Sequence, residues 1–482
     1  MRLFLCLLGA IATLVVFGPR AVAAEKPNIV FLTCEDISPN LGCYGDPDAI
    51  TPNLDKLASQ GARFTRAFSH APVCAPTRSG IITGMYPTTM GSHHMRSKLV
   101  KAPPMFTDYL KKAGYTICWP GVGGIGKTDF NFDPPKGWSD VTVDWTKKPE
   151  VLKPPFFAVY NITVSHESQA RAPHFQYARN TARLKPSDRH NPNQVKIPPY
   201  YPDTWAVRDC VATYHDNITA MDYIVGDVLK VLDDNKLSDN TVVVFYGDHG
   251  AGLSRAKRWP YDSGLRVPFL VRWPGKIKPG TIRNDLVCFL DLAPTVLAVG
   301  GADIPEHMVG RVIVGDKTAA PPQYVYGARD RMDEAFDRIR TVRNERYRYI
   351  RNYHPELPYM QYINYMDEMP IMRDWRRLAF EGKLNKTQMI FMQPTKSKEE
   401  LYDLETDPYE INNLVDAESV LLQRVRKEMS DALDKWIVDT KDLGEVPEQE
   451  LIKRGLVRDL LTTEYANRVK QHPKTPPVPG AK

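Results

Sequence analysis

Short apolar segments rich in Val, Ile and Phe alternate with helical patterns over roughly the first three hundred residues, and this alternation constrains the fold most. Strands that are apolar along their whole length are buried on both faces, which is typical of a parallel sheet covered by helices. The sequence therefore predicts an α/β sandwich with one large, mixed and mostly parallel sheet. The predicted strands are 28–33, 115–119, 156–160, 241–246 and 269–272.

Two helices are predicted between these strands. Thr51-Pro52 supplies a capping hydroxyl and a proline at the first helical position, and Gly61 ends this helix. Its inner face is predicted to hold Leu54, Leu57 and Ala58. A longer helix before residue 241 is predicted from apolar residues at helical spacing, namely Ile218, Met221, Ile224, Val225, Val228, Leu229 and Leu232.

The pattern changes near residue 320. Two basic segments, 339–343 and 347–351, predict an exposed antiparallel hairpin with one basic face. A short strand at 399–404 and an amphipathic helix at 417–438 follow, and the Pro- and Lys-rich tail after Gln471 has little to bury. We predict three parts: a signal peptide (1–24), a catalytic domain (25–325), and a C-terminal α+β subdomain (326–482) with a small antiparallel sheet, a terminal helix and a mobile tail.

The chain begins with Met1-Arg2, an apolar run from Leu3 to Phe17, and small residues up to Ala24. This order is typical of a cleaved secretory signal peptide, although a membrane anchor is the competing interpretation. The apolar run is short for a bilayer span. We therefore predict an exported protein, periplasmic or secreted, with no membrane span after cleavage.

Charge and cysteine usage narrow the function classes. The formal net charge is +6 on 482 residues and the basic residues are scattered, which argues against nucleic acid as a partner. Of the seven cysteines, Cys6 lies in the signal peptide and the others are widely spaced. The chain is therefore not predicted to be a disulfide scaffold.

Two acidic pairs follow predicted strands. Glu35-Asp36 comes after the first strand, and Asp248-His249 comes after the fourth. Because the carboxyl ends of the strands form the binding edge of an open parallel sheet, we expect these pairs to converge. Three carboxylates and one imidazole suit a hard divalent cation, calcium or magnesium, rather than structural zinc. The alternative is that each pair is a solvated turn.

A third motif, Cys74-Ala75-Pro76-Thr77-Arg78, lies between the acidic pairs. Together these motifs resemble the type I sulfatases, in which a Cys-x-Pro-x-Arg cysteine is oxidised to formylglycine. The likeness spans about residues 27 to 415 and implies an alkaline-phosphatase-like fold. Within this family, the acidic pairs and the segment Ser92-His93-His94-Met95-Arg96 are most similar to the branch that contains N-sulfoglucosamine sulfohydrolases. Further similar elements are Ile82-Thr83-Gly84, Gly126-Lys127, 261–268 and 401–408.

The resemblance implies a nucleophile that is not encoded. Cys74 would be converted to formylglycine (3-oxoalanine) by a formylglycine-generating or equivalent maturation enzyme. One hydroxyl of the hydrated aldehyde would attack sulfur and displace the alcohol; loss of a proton from the other would expel sulfate and re-form the aldehyde. The same resemblance implies calcium, with magnesium the weaker alternative, held by Glu35, Asp36, Asp248 and His249.

Cationic and imidazole side chains are implied to assist. Arg78 would orient the diol, and a short helix beginning near Thr77 would direct free N–H groups at the anion. Lys127 and Lys257 would clamp the sulfate oxygens, and His166 is the candidate general acid, shared with Lys257. The alternative for the lysines is a solvated surface position, and for His166 a structural role.

The sequence departs from the family pattern at two positions. Glu35 stands where Asp is usual, which lengthens the arm that reaches the metal. Two residues after Lys127 the chain has Asp129 where a histidine is expected. Either Asp129 serves differently or another residue, His94, fills the space.

The predicted substrate-binding residues surround these positions. His93, His94 and Arg96 would form one wall of the pocket and read a sugar hydroxyl or carboxylate; the alternative is a polar loop. Asp129 and Arg266 complete the set.

Two longer segments keep alternative interpretations. The basic insertion 166–204 would line an approach for an anionic glycan or form a solvated lid. The segment 353–369 interleaves Tyr and Met with prolines, and would supply stacking platforms for sugars or pack an irregular subdomain.

The predicted function is hydrolysis of sulfate groups on a sulfated carbohydrate, with glycosaminoglycans or other polysaccharide fragments as leading substrates. Both O-sulfate and N-sulfate hydrolysis are compatible with the sequence. Two alternatives stay open: a phosphomonoester or phosphonate ester hydrolase on the same fold, and a glycan-binding protein in which Cys74 is never matured.

Overall fold

A computed structural model describes residues 26–121 and 123–460, so the predicted signal peptide and the tail after Gln471 lie outside it. Within these ranges the strands are β1 (Asn28–Cys34), β2 (Ala62–Phe68), β3 (Thr116–Cys118), β4 (Phe156–Ile162), β5 (Thr241–Gly247), β6 (Arg266–Arg272), β7 (Thr281–Cys288), β8 (Val325–Arg329), β9 (Ile339–Arg343), β10 (Tyr347–Asn352) and β11 (Glu399–Asp403).

The α-helices of the same ranges are α1 (Pro52–Ser59), α2 (Cys74–Thr83), α3 (Pro87–Met90), α4 (Phe106–Lys112), α5 (His174–Asn180), α6 (Trp205–Asp234), α7 (Asp262–Leu265), α8 (Leu292–Val299), α9 (Asn364–Asp367), α10 (Pro370–Phe380), α11 (Lys386–Met389), α12 (Val420–Asp439) and α13 (Glu448–Lys453). In the described part of the chain, none of the helices is both long and apolar enough to cross a bilayer. The cysteines described there are all free thiols.

Seven strands form one mixed sheet in the order β3-β4-β1-β5-β6-β2-β7. The first four run parallel to one another, β6 is antiparallel to both of its neighbours, and β2 and β7 run parallel to each other. All five predicted strands lie in this sheet, and the predicted fold class is confirmed. β2 and β7 were not predicted, because β2 interrupts its apolar residues with Arg and Thr and the first half of β7 is partly exposed.

The central strand β1 is buried on both faces of the sheet. Val30 and Leu32 pack in the cluster that contains the inner faces of α1 and α6. Ile29 and Phe31 pack in the cluster that contains α4 and α8. This arrangement explains why β1 is apolar along its whole length, and it confirms the helical faces predicted for α1 and α6.

Two helix starts differ from the predictions. The Thr51 hydroxyl does not cap α1; it donates to Oδ1 of Asp55 at 3.1 Å. α2 begins at Cys74 rather than near Thr77. Pro76 is compatible with this earlier start because the first turn of a helix has no intrahelical partner for its N–H groups.

The carboxyl ends of β1, β4 and β5 lie side by side. Cys34, the last residue of β1, pairs with Ile162 of β4 on one side and with Gly247 of β5 on the other. The segments that follow these three strands therefore start from one edge of the sheet, which is where the two acidic pairs were predicted to converge.

The antiparallel sheet β11-β10-β9-β8 follows in the second part of the chain. The predicted hairpin is β9 and β10, but the prediction of an exposed basic face is wrong. Arg340 and Arg348 are each at most 1% exposed. Arg340 contacts Asp330 and Asp442, and Arg348 contacts Asp262. The boundary predicted at residue 325 falls at the first residue of β8 and stays a prediction.

We expect the substitution Arg340→Leu to lower the free energy of unfolding by about 3 to 5 kcal/mol, because it leaves two buried carboxylates without their cation. The Arg340 guanidinium lies 3.0 Å from Oδ1 of Asp330 and 2.5 Å from Oδ2 of Asp442. The matched control is Arg424→Leu, whose exposed pair with Glu428 is worth about 0 to 1 kcal/mol. Urea unfolding followed by circular dichroism measures both, and equal midpoints would contradict the expectation.

Candidate active site

Cys74 is buried at the start of α2 and lies among the acidic pairs. Its Sγ atom is 3.3 Å from Nε2 of His249, 3.5 Å from Nζ of Lys257 and 3.8 Å from Oδ1 of Asp36. The structure thus brings together the cysteine and the two acidic pairs that the sequence separates widely.

A glycine in α2 fixes how this helix packs. A Cβ atom at Gly80 would lie 2.1 Å from Nε2 of His70, whose ring is buried. Only a residue without a side chain lets α2 approach His70 so closely. A side chain at position 80 would therefore require α2 or the His70 ring to move.

Asp36 is the centre of the hydrogen-bond network. Its Oδ1 lies 2.9 Å from Nε2 of His249, and its Oδ2 accepts from Nζ of Lys257 and from the backbone N–H of Glu167, each at 2.7 Å. The backbone N–H of Asp36 donates to Oδ1 of Asp248 at 3.0 Å. Asp36 has φ of 53°, a left-handed conformation that Asp and Asn adopt more readily than most residues.

Glu35 pairs with two of the predicted cationic side chains, Arg78 and Lys127. Its Oε1 lies 2.5 Å from Nη2 of Arg78 and its Oε2 lies 2.5 Å from Nζ of Lys127. Arg78 also donates from Nε to Oδ2 of Asp248 at 3.1 Å. The longer arm of a glutamate at this position therefore reaches Lys127 and Arg78 at once.

The local charges shift the ionisation of Cys74. Burial alone raises the pKa of the thiol, but Lys127 and Lys257 outweigh burial, so the net pKa lies below the ordinary value. A thiolate beside two ammonium groups is a stabilised anion. The position is thus electrostatically suited to an anionic group.

The pKa of His249 shifts upward, whereas that of Cys74 shifts downward. Burial lowers the pKa of the His249 ring, but Asp248 and Asp36 outweigh it and raise the pKa to about 10. The ring therefore carries a proton between the two carboxylates. A divalent cation held by the same carboxylates would replace that proton and leave the nitrogen free to bind the metal.

The donor atoms fit a hard divalent cation. Two overlapping groups of side chains could each hold an ion, because within each group one ligand atom per residue lies within 4.8 Å of the others. The first group is Asp36, Cys74, Asp248 and His249, and the second is Glu35, Asp36, Cys74 and His166. Three of these six residues offer carboxylate oxygens, which are the ligands that calcium and magnesium prefer.

His166 lies at the rim of the cluster. Its Nε2 is 3.9 Å from Oδ2 of Asp36, and its Nδ1 is 2.9 Å from Oγ of Ser168. Burial and Lys257 lower the pKa of His166, but Asp36 and Cys74 outweigh them, so the net shift is upward. A protonated, partly exposed imidazole in this place can donate a proton to a group bound against Cys74.

Three residues of the network, Asn161, Glu167 and Arg258, are not among the predicted site residues. Asn161, near the end of β4, accepts through Oδ1 from Nη2 of Arg78 at 2.8 Å. Glu167 binds Arg258 through two contacts of 2.8 Å and lies 3.1 Å from Nζ of Lys257. Asn161 could have been predicted by the same rule as Glu35, since both are polar residues at the carboxyl end of a buried strand.

The predicted substrate-binding residues separate into two groups. Arg96 and Asp129 are partly exposed near the cluster; Asp129 lies 3.6 Å from Nζ of Lys127, and Arg96 pairs with Asp333 at 2.9 Å. His93 and His94 are buried, and Nδ1 of His94 accepts from the Arg331 amide at 3.3 Å. In the described chain, the structure does not bring these two histidines into the hydrogen-bond network of the cysteine.

Arg266 lies away from this network, because its guanidinium donates to the carbonyl oxygen of Thr65 at 2.9 Å. The segment 353–369 mostly packs the core, with Tyr359, Met360 and Met366 buried. Its Tyr365 is different, because its ring centroid lies 6.5 Å from that of His166. The guanidinium of Arg171, from the insertion 166–204, lies 4.5 Å from the Tyr365 ring centroid. This basic and aromatic pair therefore borders the candidate site.

Comparison with protein families yields two matches. The sulfatase family model matches residues 27–149 and 127–302. The model described as N-sulphoglucosamine sulphohydrolase, C-terminal, matches residues 247–371. The first match includes every residue of the network around Cys74, and the second includes the segment that carries Tyr365.

Individual proteins are also similar. An ulvan-active sulfatase of Formosa agariphila is 36% identical over 472 residues, which cover 89% of this chain and 78% of the relative. The human N-acetylgalactosamine-6-sulfatase is 27% identical over 337 residues, covering 59% of this chain and 64% of the relative. A solved structure described as a complex with its substrate D-glucosamine-2-N,6-O-disulfate has a TM-score of 0.62 at 18% identity, covering 88% of this chain and 100% of that one; this likeness concerns the fold.

Proposed function

Because this chain belongs to the sulfatase family, whose members are sulfuric ester hydrolases, we propose that it removes sulfate groups from a sulfated carbohydrate. The observation that carries this proposal is the contact of Cys74 with Lys257 and His249 at the edge of the sheet. The ulvan-active relative supports a polysaccharide or a fragment of one as substrate, and a glycosaminoglycan is the second substrate class.

We propose that Cys74 is matured to formylglycine by a separate enzyme after synthesis. The matured side chain would supply the hydroxyl nucleophile that an encoded residue cannot supply and then regenerate. Its place at the N-terminus of α2, a ten-residue helix, supports this assignment, because free N–H groups and the helix dipole favour an anion there.

We propose that Glu35, Asp36, Asp248 and His249 hold a divalent cation, calcium before magnesium. When bound, the cation would act as a Lewis acid that lowers the pKa of the nucleophile and draws charge from the sulfate oxygens. All four side chains are buried; ligand atoms of Asp36, Asp248 and His249 lie within 4.8 Å of one another, and Glu35 belongs to an overlapping group with Asp36.

The remaining residues would position the sulfate and the leaving group. Lys127 and Lys257 would bind sulfate oxygens as point charges, and Arg78, held by Glu35, would orient the nucleophile. His166 would protonate the leaving oxygen or nitrogen. Its partial exposure supports this role, because a leaving group must face the open side of the site.

We further propose export of the protein after cleavage of residues 1–24, and a division into a catalytic domain (25–325) and a C-terminal subdomain (326–482). The exported compartment would place the enzyme where it meets sulfated polysaccharides. Arg96, Asp129, Arg171 and Tyr365 border the open side of the site, and we propose that they contact the sugar.

Turnover of an aryl sulfate compared with the matching aryl phosphate tests this function. We expect kcat/KM to favour the sulfate by about 100-fold or more, because a site built for one charge distribution rejects another. A panel of sulfated mono- and disaccharides with defined O- and N-sulfate positions then identifies the sugar. Preference for the phosphate would favour a phosphoester hydrolase, and saccharide binding without turnover would favour a glycan-binding protein.

A further inference from the structure

A second group of metal-ligating side chains lies outside the candidate active site. One ligand atom each from Asp46, Asp48 and His215 lies within 4.8 Å of the other two. The aspartates belong to the loop between β1 and α1, and His215 lies in the first half of α6. None of the three belongs to the network around Cys74 in the described part of the chain.

His215 is a buried histidine with a ring nitrogen that lacks a hydrogen-bond partner among the described residues. The side chain is buried, with 5% of the residue exposed, and its Nδ1 has no hydrogen-bond partner among the described residues. A buried imidazole nitrogen without a hydrogen-bond partner is unfavourable for the folded state. A metal ion bound by this ring and the two nearby carboxylates would remove that cost.

The two carboxylates are already held in place. Oδ1 of Asp46 accepts from the backbone N–H of Asp48 at 2.9 Å, and its Oδ2 accepts from Nδ2 of Asn40 at 2.7 Å. Oδ2 of Asp48 accepts from the backbone N–H of Lys196 at 2.8 Å. Each carboxylate oxygen keeps a further lone pair, so these hydrogen bonds orient the ligands without using them up.

A second imidazole lies beside the cluster. The ring centroid of His190 is 5.3 Å from that of His215. Nδ1 of His190 lies 2.7 Å from Oδ1 of Asp216, and its Nε2 lies 2.5 Å from the backbone oxygen of Asp48. The insertion 166–204, which carries His190 and Lys196, therefore contacts the same loop that supplies the two aspartates.

We propose that Asp46, Asp48 and His215 bind a divalent transition-metal ion of the zinc type. Two carboxylates and one imidazole match the three protein ligands of a zinc site that keeps one position open, whereas the set proposed at Cys74 has a third carboxylate. The two aspartates are only partly buried, so the ion can reach the cluster from solvent. The bound ion would join the loop before α1 to α6 and fix the insertion that contacts Asp48.

Zinc binding to the full-length mature protein tests the proposal. The protein is stripped of metals, reloaded with calcium to fill the candidate active site, and titrated with ZnCl₂ while bound zinc is counted by mass spectrometry. We expect about one zinc ion per chain beyond the calcium and a rise in the thermal unfolding temperature with zinc concentration. A wild-type protein that shows neither would overturn the proposal.

Three variants locate the bound ion. His215→Ala should weaken zinc binding by about tenfold or more, whereas His174→Ala, a control at an exposed histidine, should not change it. Asp248→Asn should also keep zinc bound while it impairs hydrolysis, which separates this proposal from the proposed function. Loss of zinc in Asp248→Asn with retention in His215→Ala would overturn the proposal. If His215→Ala does not fold, the shape-preserving Asp48→Asn takes its place, with the same expected loss.

Discussion

Replacement of Cys74 by alanine is expected to lower kcat/KM for sulfate ester hydrolysis by about 10⁴-fold or more, with folding unchanged. The substitution removes the side chain from which the nucleophile is made, while the lysines, the carboxylates and α2 stay in place. The buried Cys74 accounts for little volume, so the cavity that alanine leaves is small. Thermal unfolding of the variant and the wild type verifies the fold.

The control for this prediction is Cys43→Ala, because Cys43 is also a free thiol of the described chain but lies in the loop before α1. We expect this variant to keep its activity. Mass spectrometry of the tryptic peptide that contains position 74 adds a direct readout, since the matured side chain has lost its sulfur. An unmodified thiol in a fully active protein from its native host would refute the role assigned to Cys74.

The substitution Asp36→Asn should lower kcat by about 10³-fold and reduce the bound calcium. The amide keeps the shape of the side chain and tolerates the left-handed backbone at this position, so the fold should be retained. The carboxylate charge, however, is what Lys257 and His249 contact at 2.7 Å and 2.9 Å. Its loss leaves Lys257 without its partner and removes one anionic ligand from the cation.

Steady-state kinetics together with calcium counting by atomic emission measure this effect. The matched control is Asp133→Asn, at an exposed aspartate that pairs with Lys98 and Arg458 on the surface. The control should change neither quantity. If Asp36→Asn kept wild-type kcat and calcium content, Asp36 could not belong to the metal site.

The parts of the site that lie at strand ends could be predicted from the sequence. Continuous apolar runs identified β1 and β5, and the rule that carboxyl ends meet at one edge brought Glu35 and Asp248 together. Asn161 followed the same rule but was missed, because a single Asn after a strand is also typical of a turn. Topology therefore predicts where polar residues converge, but not which of them make contact.

Contacts between distant loops could not be predicted in this way. Arg340 and Arg348 were predicted to lie on an exposed basic face because their partners Asp442 and Asp262 lie far away in the sequence. Similarly, nothing in the local pattern around Glu167 indicates that it binds Arg258. Burial of an arginine depends on a partner that local periodicity does not reveal.

The pair of Glu167 and Arg258 has a consequence for chimeric enzymes. It joins the first residues of the insertion 166–204 to the loop that carries Lys257. Exchange of the insertion with that of a relative, to alter substrate preference, should therefore place its first breakpoint after Ser168. A graft that began earlier would have to transplant both charged partners together.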